Sequence, residues 1–264
     1  MKNLKKVYLS LVLVFMYAPI AVLIAFSFNE SRSRANWTGL TLNWYIELFQ
    51  DYRILSALST TFTIALFSTI IAVVLGTAAA IGIHSMRSIS KKTVMTINNI
   101  PVVNPEIVMG VSLMILYISV FRIFISDFEL GYLTLLLAHL SFITSYVVLS
   151  VLPRLRQMDR NIYEAALDLG ATPLQGFIKV IFPKIMPGIV TGALLAFTIS
   201  IDDFVVSFFT AGSGVETLSM VIYSMTKRGI NPKINAISTL MFVIVITLLY
   251  IINMRDSNKK RTVK

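Results

Sequence analysis

Six stretches of this 264-residue chain are each long and apolar enough to cross a lipid bilayer, and nothing else in the sequence restricts the fold so severely. A membrane helix needs about 20 mostly apolar residues to span a hydrocarbon core roughly 30 Å thick. The stretches run near Val7–Phe28, Leu58–Ile83, Val94–Phe121, Tyr132–Leu152, Met186–Phe209 and Ile234–Met254. Only 14% of the residues are charged and 56% are hydrophobic, which leaves too little polar surface to wet a soluble globule of this size. Disorder is excluded as well, because disordered chains have low hydrophobicity. The expected fold is all-α, a single membrane domain of six helices over residues 1–264, with the first helix retained rather than cleaved as a signal peptide.

The net charge of +10 would suggest nucleic acid on a soluble protein, but here it reports topology. With the N-terminus in the cytoplasm, the inside segments hold 16 of the 23 basic residues and the outside segments 7. Lysine and arginine gather on the cytoplasmic side, so both termini are expected there. Lys259, Lys260, Arg261 and Lys264 then form an anchor beside anionic membrane lipid, and no nucleic-acid partner is expected. The chain has no cysteine, and its two histidines, His84 and His139, lie far apart in sequence, so no metal site is expected and both read as structural residues. No phosphate-binding loop ending in Gly-Lys-Ser or Gly-Lys-Thr occurs, so no nucleotide or other cofactor is expected on this chain.

The segment 159–185 is too polar for lipid but is patterned. Asn161 with Glu164 marks a helix start, and Ile162, Ala165, Ala166 and Leu169 follow at helical spacing. Gly170 is a stop, and Thr172-Pro173-Leu174-Gln175 restarts a helix with Thr as cap and Gln reaching back. Pro183 and Pro187 are expected to break that second helix before the fifth span. In the second span, Ala72, Gly76 and Ala80 form a small-residue stripe that admits another helix at close range. In the first outside loop, Trp44-Tyr45-Ile46-Glu47-Leu48-Phe49 suggests a short surface helix.

Only Glu106, Asp202 and Asp203 of the 13 acidic residues fall within the spans, and no Lys or Arg lies in the span interiors. A carboxylate near the middle of a membrane helix costs about 2.5–3.5 kcal/mol on insertion scales, so it faces protein or a water-filled path. Glu106 follows Pro101 and Pro105, which loosen the third span, and Asp203 shares a helical face with Ser200 and Ser207. The acids thus make two levels along a path suited to a cation, with Trp44 either a cation–π partner at the outer mouth or an interfacial anchor. The bland alternative is that the acids pair with basic residues of a partner or bond backbone at helix breaks.

Glu164-Ala165-Ala166-Leu167-Asp168-Leu169-Gly170, continued to Ile181-Phe182-Pro183, resembles the coupling loop of bacterial ABC importer permeases, with Phe182 standing where that family usually has Leu. The resemblance implies a type I importer permease fold. It assigns the docking of a cytoplasmic ATPase to Glu164, Ala165, Ala166, Asp168, Gly170 and Pro183. Further stretches are similar to the spermidine/putrescine branch of the family: Tyr17-Ala18-Pro19-Ile20, Ser27-Phe28-Asn29, Asn36-Trp37, Trp44-Tyr45, Asn104-Pro105-Glu106-Ile107-Val108-Met109, Ser200-Ile201-Asp202-Asp203-Phe204-Val205-Val206-Ser207 and Ile222-Tyr223-Ser224-Met225. That similarity implies a non-enzymatic polyamine permease in the bacterial cytoplasmic membrane, paired with a second permease subunit, two copies of an ATPase and an external polyamine-binding protein. Its substrate path would involve Glu106, Ser200, Asp202, Asp203 and Trp44. Two alternatives stay open: a permease for another substrate such as ferric iron or an organophosphonate, and an ion-coupled secondary transporter.

Overall fold

A computed structural model describes residues 2–32, 36–125, 127–159, 161–228 and 231–261; side chains are described for 5–32, 36–125, 127–159, 161–227 and 231–247. The expected lipid anchor formed by Lys259, Lys260, Arg261 and Lys264 lies outside the described side chains. All the regular elements described are helical, apart from one isolated β-bridge between Asn29 and Leu40. Among the described side chains, five helices are long and apolar enough to cross a membrane, and Pro232–Thr247, the first part of a helix that runs on to Arg261, is apolar as well. The chain groups into two compact units, residues 1–55 with 221–264, and residues 56–220.

The first unit contains α1 (Lys2–Ser27), α2 (Asn43–Gln50), the greater part of α11 (Leu218–Arg228) and α12 (Pro232–Arg261), with α12 packed against both α1 and α2. No residue in the apolar window of α1 is buried, as suits a lipid-facing helix. The short helix expected around Trp44 is α2. Its connection to α1 is knotted around the fully buried Asn29: the side-chain amide donates to the Asn36 carbonyl at 2.8 Å and accepts from Thr38 N–H at 3.1 Å. Trp44 Nε1–H donates to the Asn29 carbonyl at 2.7 Å, and Ser27 Oγ lies 2.7 Å from the Tyr45 hydroxyl. Three of the separate short stretches in the resemblance are therefore parts of one structure.

The second unit centres on α6 (Tyr132–Gln157), the most deeply buried of the long helices. The small-residue stripe of α3 (Tyr52–Ser85) packs there: Ala72 and Ala80 are fully buried, and a Cβ added at Gly76 would sit 2.7 Å from Val147 Cβ. α9 (Phe182–Asp202) packs on α6 by the same device, with Gly188 against Ser150 and Val151 and Gly192 against Val147. Small residues give close backbone approach, which is what holds helices together where lipid offers no hydrophobic drive.

Two of the expected spans are not continuous helices. The third is α4 (Ser88–Val103) followed by α5 (Glu106–Phe124), with Asn104 extended at φ −73°, ψ 144°. Pro105 explains the break, since proline pushes the preceding residue out of helical conformation. The fifth stretch is α9 followed by α10 (Val205–Thr210), with Asp203 extended at φ −63°, ψ 127°. The reverse holds at Pro183 and Pro187, where a break was expected. α8 (Pro173–Gly176), a π-helical turn (Phe177–Ile181) and α9 follow without interruption. In the widened turn Phe182 N–H bonds to Phe177 O, five residues back, which relieves the ring clash that Pro183 would create in a regular helix.

Up to Gln175, the segment between the fourth and fifth spans folds as its pattern suggests. α7 (Asn161–Asp168) ends at Gly170, whose φ of +87° is the left-handed conformation glycine accepts readily. Gly170 N–H bonds to Leu167 O and Ala171 N–H to Ala166 O, closing the helix. Thr172 Oγ1 accepts from Gln175 N–H, and Gln175 Oε1 accepts from Thr172 N–H.

Candidate functional site: a carboxylate-lined cavity

The two interruptions border one cavity of about 330 Å³ in the second unit. Glu106, the first residue of α5, lines it together with Asp202, the last residue of α9, and Asp203 just beyond. The three span carboxylates, expected at two levels of a path, thus share a single cavity. Among the described residues no Lys, Arg or His contributes to its wall, and His139 Nε2 lies 3.5 Å from Asp203 Oδ2 behind it.

The carboxylates differ in engagement. Asp203 bonds the backbone at the helix break. Its Oδ1 accepts from Val206 N–H at 3.3 Å, and its Oδ2 accepts from Ser207 N–H at 2.8 Å and Ser207 Oγ–H at 2.7 Å. It thereby caps amides at the start of α10 that have no helical partner, and only 5% of its side chain is exposed. Asp202 and Glu106 are exposed. Glu106 occupies the first turn of α5, where the helix dipole favours a negative charge. Asp202 sits at the opposite kind of terminus, where the end of α9 adds carbonyl oxygens of partial negative charge. A cation entering from water would meet two open carboxylates and that helix end.

Three wall residues carry chemistry that the sequence reading passed over. Phe142 and Tyr146 come from α6 and Asn104 from the α4–α5 bend. The aromatic faces can receive an ammonium group or a methylene stem. Phe142 and Tyr146 lie four residues apart on α6, and His139 precedes Phe142 by three, a spacing that marks one helix face.

The remaining expected path residues lie elsewhere. Ser200 is buried, 2.7 Å from His139 Nδ1 and 3.4 Å from Ser68 Oγ, and is not part of the cavity wall. The expected shared face of Ser200, Asp203 and Ser207 presumed a continuous helix. With the break, Ser207 instead donates to Asp203 while Ser200 turns to His139. Trp44 is 7% exposed and lines a second cavity, of about 460 Å³ in the first unit, where Lys233 Nζ lies 3.3 Å from Glu47 and 3.5 Å from Asp51.

In the 159–185 segment, Gly176 is buried against Tyr163 and Leu167 of α7, so those side chains form the inward face. Glu164, Ala165, Asp168 and Gly170 are exposed, as are Ile162 and Leu169. Ala166 is half-buried and Pro183 exposed.

Comparison with known proteins gives this geometry a context. A family model described as "Binding-protein-dependent transport system inner membrane component" matches residues 72–255. The chain is 40% identical over 228 residues to the putrescine transport system permease protein PotI of Escherichia coli K12, covering 86% of this chain and 81% of that one. It is 37% identical to the spermidine/putrescine transport system permease protein PotC of Haemophilus influenzae, covering 93% of each. Among solved structures, a bacterial ABC transporter that imports alginate superposes with a TM-score of 0.73 at 18% identity, covering 97% of this chain and 98% of that one. The methionine transporter MetNI in inward-facing form gives 0.58 at 20% identity, covering 85% and 100%. The fold is that of ABC importer permeases, and the chain belongs to the family of binding-protein-dependent transport system inner membrane components.

Proposed function

We propose that this chain is a permease subunit of an ATP-driven importer of polyamines, and that the cavity of Glu106, Asp202 and Asp203 is the passage its substrate takes. One observation carries the reading: three carboxylates that the membrane penalises line a single cavity with no Lys or Arg on its wall among the described residues. A putrescine or spermidine amine would supply the missing charge, and Phe142 and Tyr146 would receive its methylene stems. The likeness to permeases named for putrescine and spermidine/putrescine transport supports the same substrate class. Asp202 and Glu106 make the transient contacts, because Asp203 is committed to the start of α10. The buried hydrogen bond of Trp44 to Asn29 supports an anchoring role rather than a cation–π contact for that residue.

The lysine and arginine distribution supports both termini on the cytoplasmic side of the bacterial inner membrane. The loop from α7 to Pro183 then faces the cytoplasm, where the exposed Glu164, Ala165 and Asp168 are free to dock a separate ATPase subunit. A second permease subunit, two ATPase copies and an external polyamine-binding protein complete the machine. ATP-driven closure of the ATPase pair pulls on this loop and opens the passage outward; hydrolysis returns it inward. The test is uptake of labelled putrescine and spermidine by cells expressing the chain with its partner subunits. Uptake that depends on ATPase activity and falls in Asp202→Asn is the expected result. Uptake insensitive to loss of the ATPase would favour an ion-coupled transporter, and normal uptake by Asp202→Asn with Glu106→Gln would remove the carboxylate passage.

A further inference from the structure

His139 is 1% exposed, and both ring nitrogens are engaged across the interruption that follows α9. Nδ1 lies 2.7 Å from Ser200 Oγ in the last turn of α9, and Nε2 lies 3.0 Å from Ser207 Oγ in α10. Ser207 gives its one hydroxyl hydrogen to Asp203 Oδ2, so towards the ring it can only accept. Nε2 therefore carries the hydrogen, and Nδ1 accepts from Ser200 Oγ–H. The result is a directed chain from α9 through α6 to α10 that ends on a cavity carboxylate. An imidazole buried only as filler would be costlier than Leu or Phe, whereas one with both nitrogens bonded also ties the elements it touches.

We propose that His139 is a positioning residue, a splint that sets the direction in which α10 leaves α9 and hence which side chains the interruption turns into the cavity. At this point the helical bonding of α9 stops at Asp202, while Asp203 secures only the start of α10. His139 is the side chain that grips both pieces from a third, deeply buried helix. Thr134 Oγ1 of α6 lies 2.7 Å from Thr210 O at the far end of α10, and α10 packs against α5 with Gly110 beside Val205 and Val206. Removing His139 therefore releases only the first turn of α10 and shifts Val205 relative to the cavity wall. The consequence for transport rests on the polyamine reading; the positioning itself does not.

The chain has no cysteine, so single cysteines report the geometry directly. Ile199→Cys and Val205→Cys, one on each side of the break and both on the cavity wall, are placed singly in the assembled transporter in membranes. They are labelled with a small water-soluble cationic thiol reagent. In the His139→Leu background the labelling rate at Val205→Cys, relative to Ile199→Cys, is expected to fall about tenfold, the scale of one or two buried hydrogen bonds. His139→Gln, which offers both a donor and an acceptor, should restore part of it. Should His139→Leu fail to assemble, the Ser200→Ala/Ser207→Ala pair removes the same two bonds with little change of volume, and Ser207→Ala also removes the hydroxyl bond to Asp203. The pair, and Ser200→Ala alone to a smaller extent, must alter the ratio in the same direction. An unchanged ratio in whichever of these assembles overturns the proposal. A changed ratio in a transporter that carries neither putrescine nor spermidine would sink the polyamine reading and leave the splint standing.

Discussion

Asp203 Oδ2 accepts the hydroxyl hydrogen of Ser207 at 2.7 Å, while the adjacent Asp202 leaves its carboxylate open. Adjacent aspartates in one helix would point about 100° apart and differ only in direction. Because the helix stops between them, they differ in kind, and their substitutions should separate. Asp202→Asn should lower polyamine uptake about tenfold or more, the worth of one charge-assisted hydrogen bond to an ammonium. The amount of assembled transporter should stay the same. Uptake kinetics normalised to membrane protein measure both, and a loss of assembled protein in step with uptake would argue against a direct contact.

Asp203→Ala should act first on stability. It strips the start of α10 of its side-chain acceptor, a change that costs roughly 1–2 kcal/mol in helices of soluble proteins. The expected readout is a lower unfolding midpoint of the detergent-solubilised complex, with reduced uptake as a consequence. An unchanged midpoint together with strongly reduced uptake would move Asp203 into the group of direct substrate contacts.

The helical pattern made the spans and the 159–185 turn legible because each rests on local chemistry. Gly170 and the Thr172–Gln175 pair act within four residues of themselves, so their geometry could be read without knowing what surrounds them. Pro101 and Pro105 marked the third span as loosened, but not that the helix stops before Pro105 and runs on through Pro101. The break after Asp202 was invisible because no breaker residue makes it; it is held by Asp203 and, across 61 and 68 positions of sequence, by His139. The opposite error arose at Pro183, where a π-helical turn rescued a helix that proline alone would have ended. The open carboxylates could be named from hydropathy, but their shared cavity depends on two interruptions at once.

Trp44→Phe separates an anchor from a substrate contact. The substitution keeps an aromatic face but deletes the N–H that holds the Asn29 carbonyl, at a cost of about 1–3 kcal/mol for a buried acceptor left without its partner. The expected outcome is a lower unfolding midpoint with the half-saturating polyamine concentration unchanged. A raised half-saturation at unaltered stability would restore the cation–π role.

Close packing at α6 predicts a sharp contrast between two glycines. At Gly188 a Cβ would meet Ser150 O and Arg154 Cγ at 2.8 Å, whereas at Gly82 it would meet nothing within 4 Å. Gly188→Leu should destabilise by at least 1–3 kcal/mol, roughly the cost of overpacking a tight core. Gly82→Ala should be neutral or stabilising by up to about 1 kcal/mol through helix propensity. Thermal unfolding of the two variants side by side provides the comparison, and similar midpoints would mean that α9 does not hold its position on α6.

The coupling loop is tested by changing its charge and its turn separately. Glu164 is exposed on α7, so Glu164→Arg should leave stability nearly unchanged. Its expected effect is to weaken retention of the ATPase on an affinity column by about tenfold, again the scale of a charge-assisted contact. Gly170→Ala instead strains a backbone at φ +87°, at a cost of roughly 1–2 kcal/mol for a left-handed residue with a Cβ. It should loosen the end of α7, seen as faster amide exchange at Gly170 and Ala171, whose N–H groups close that helix. If Glu164→Arg retains the ATPase as well as the parent while Gly170→Ala does not, docking depends on the shape of the turn and the charge has no part in it.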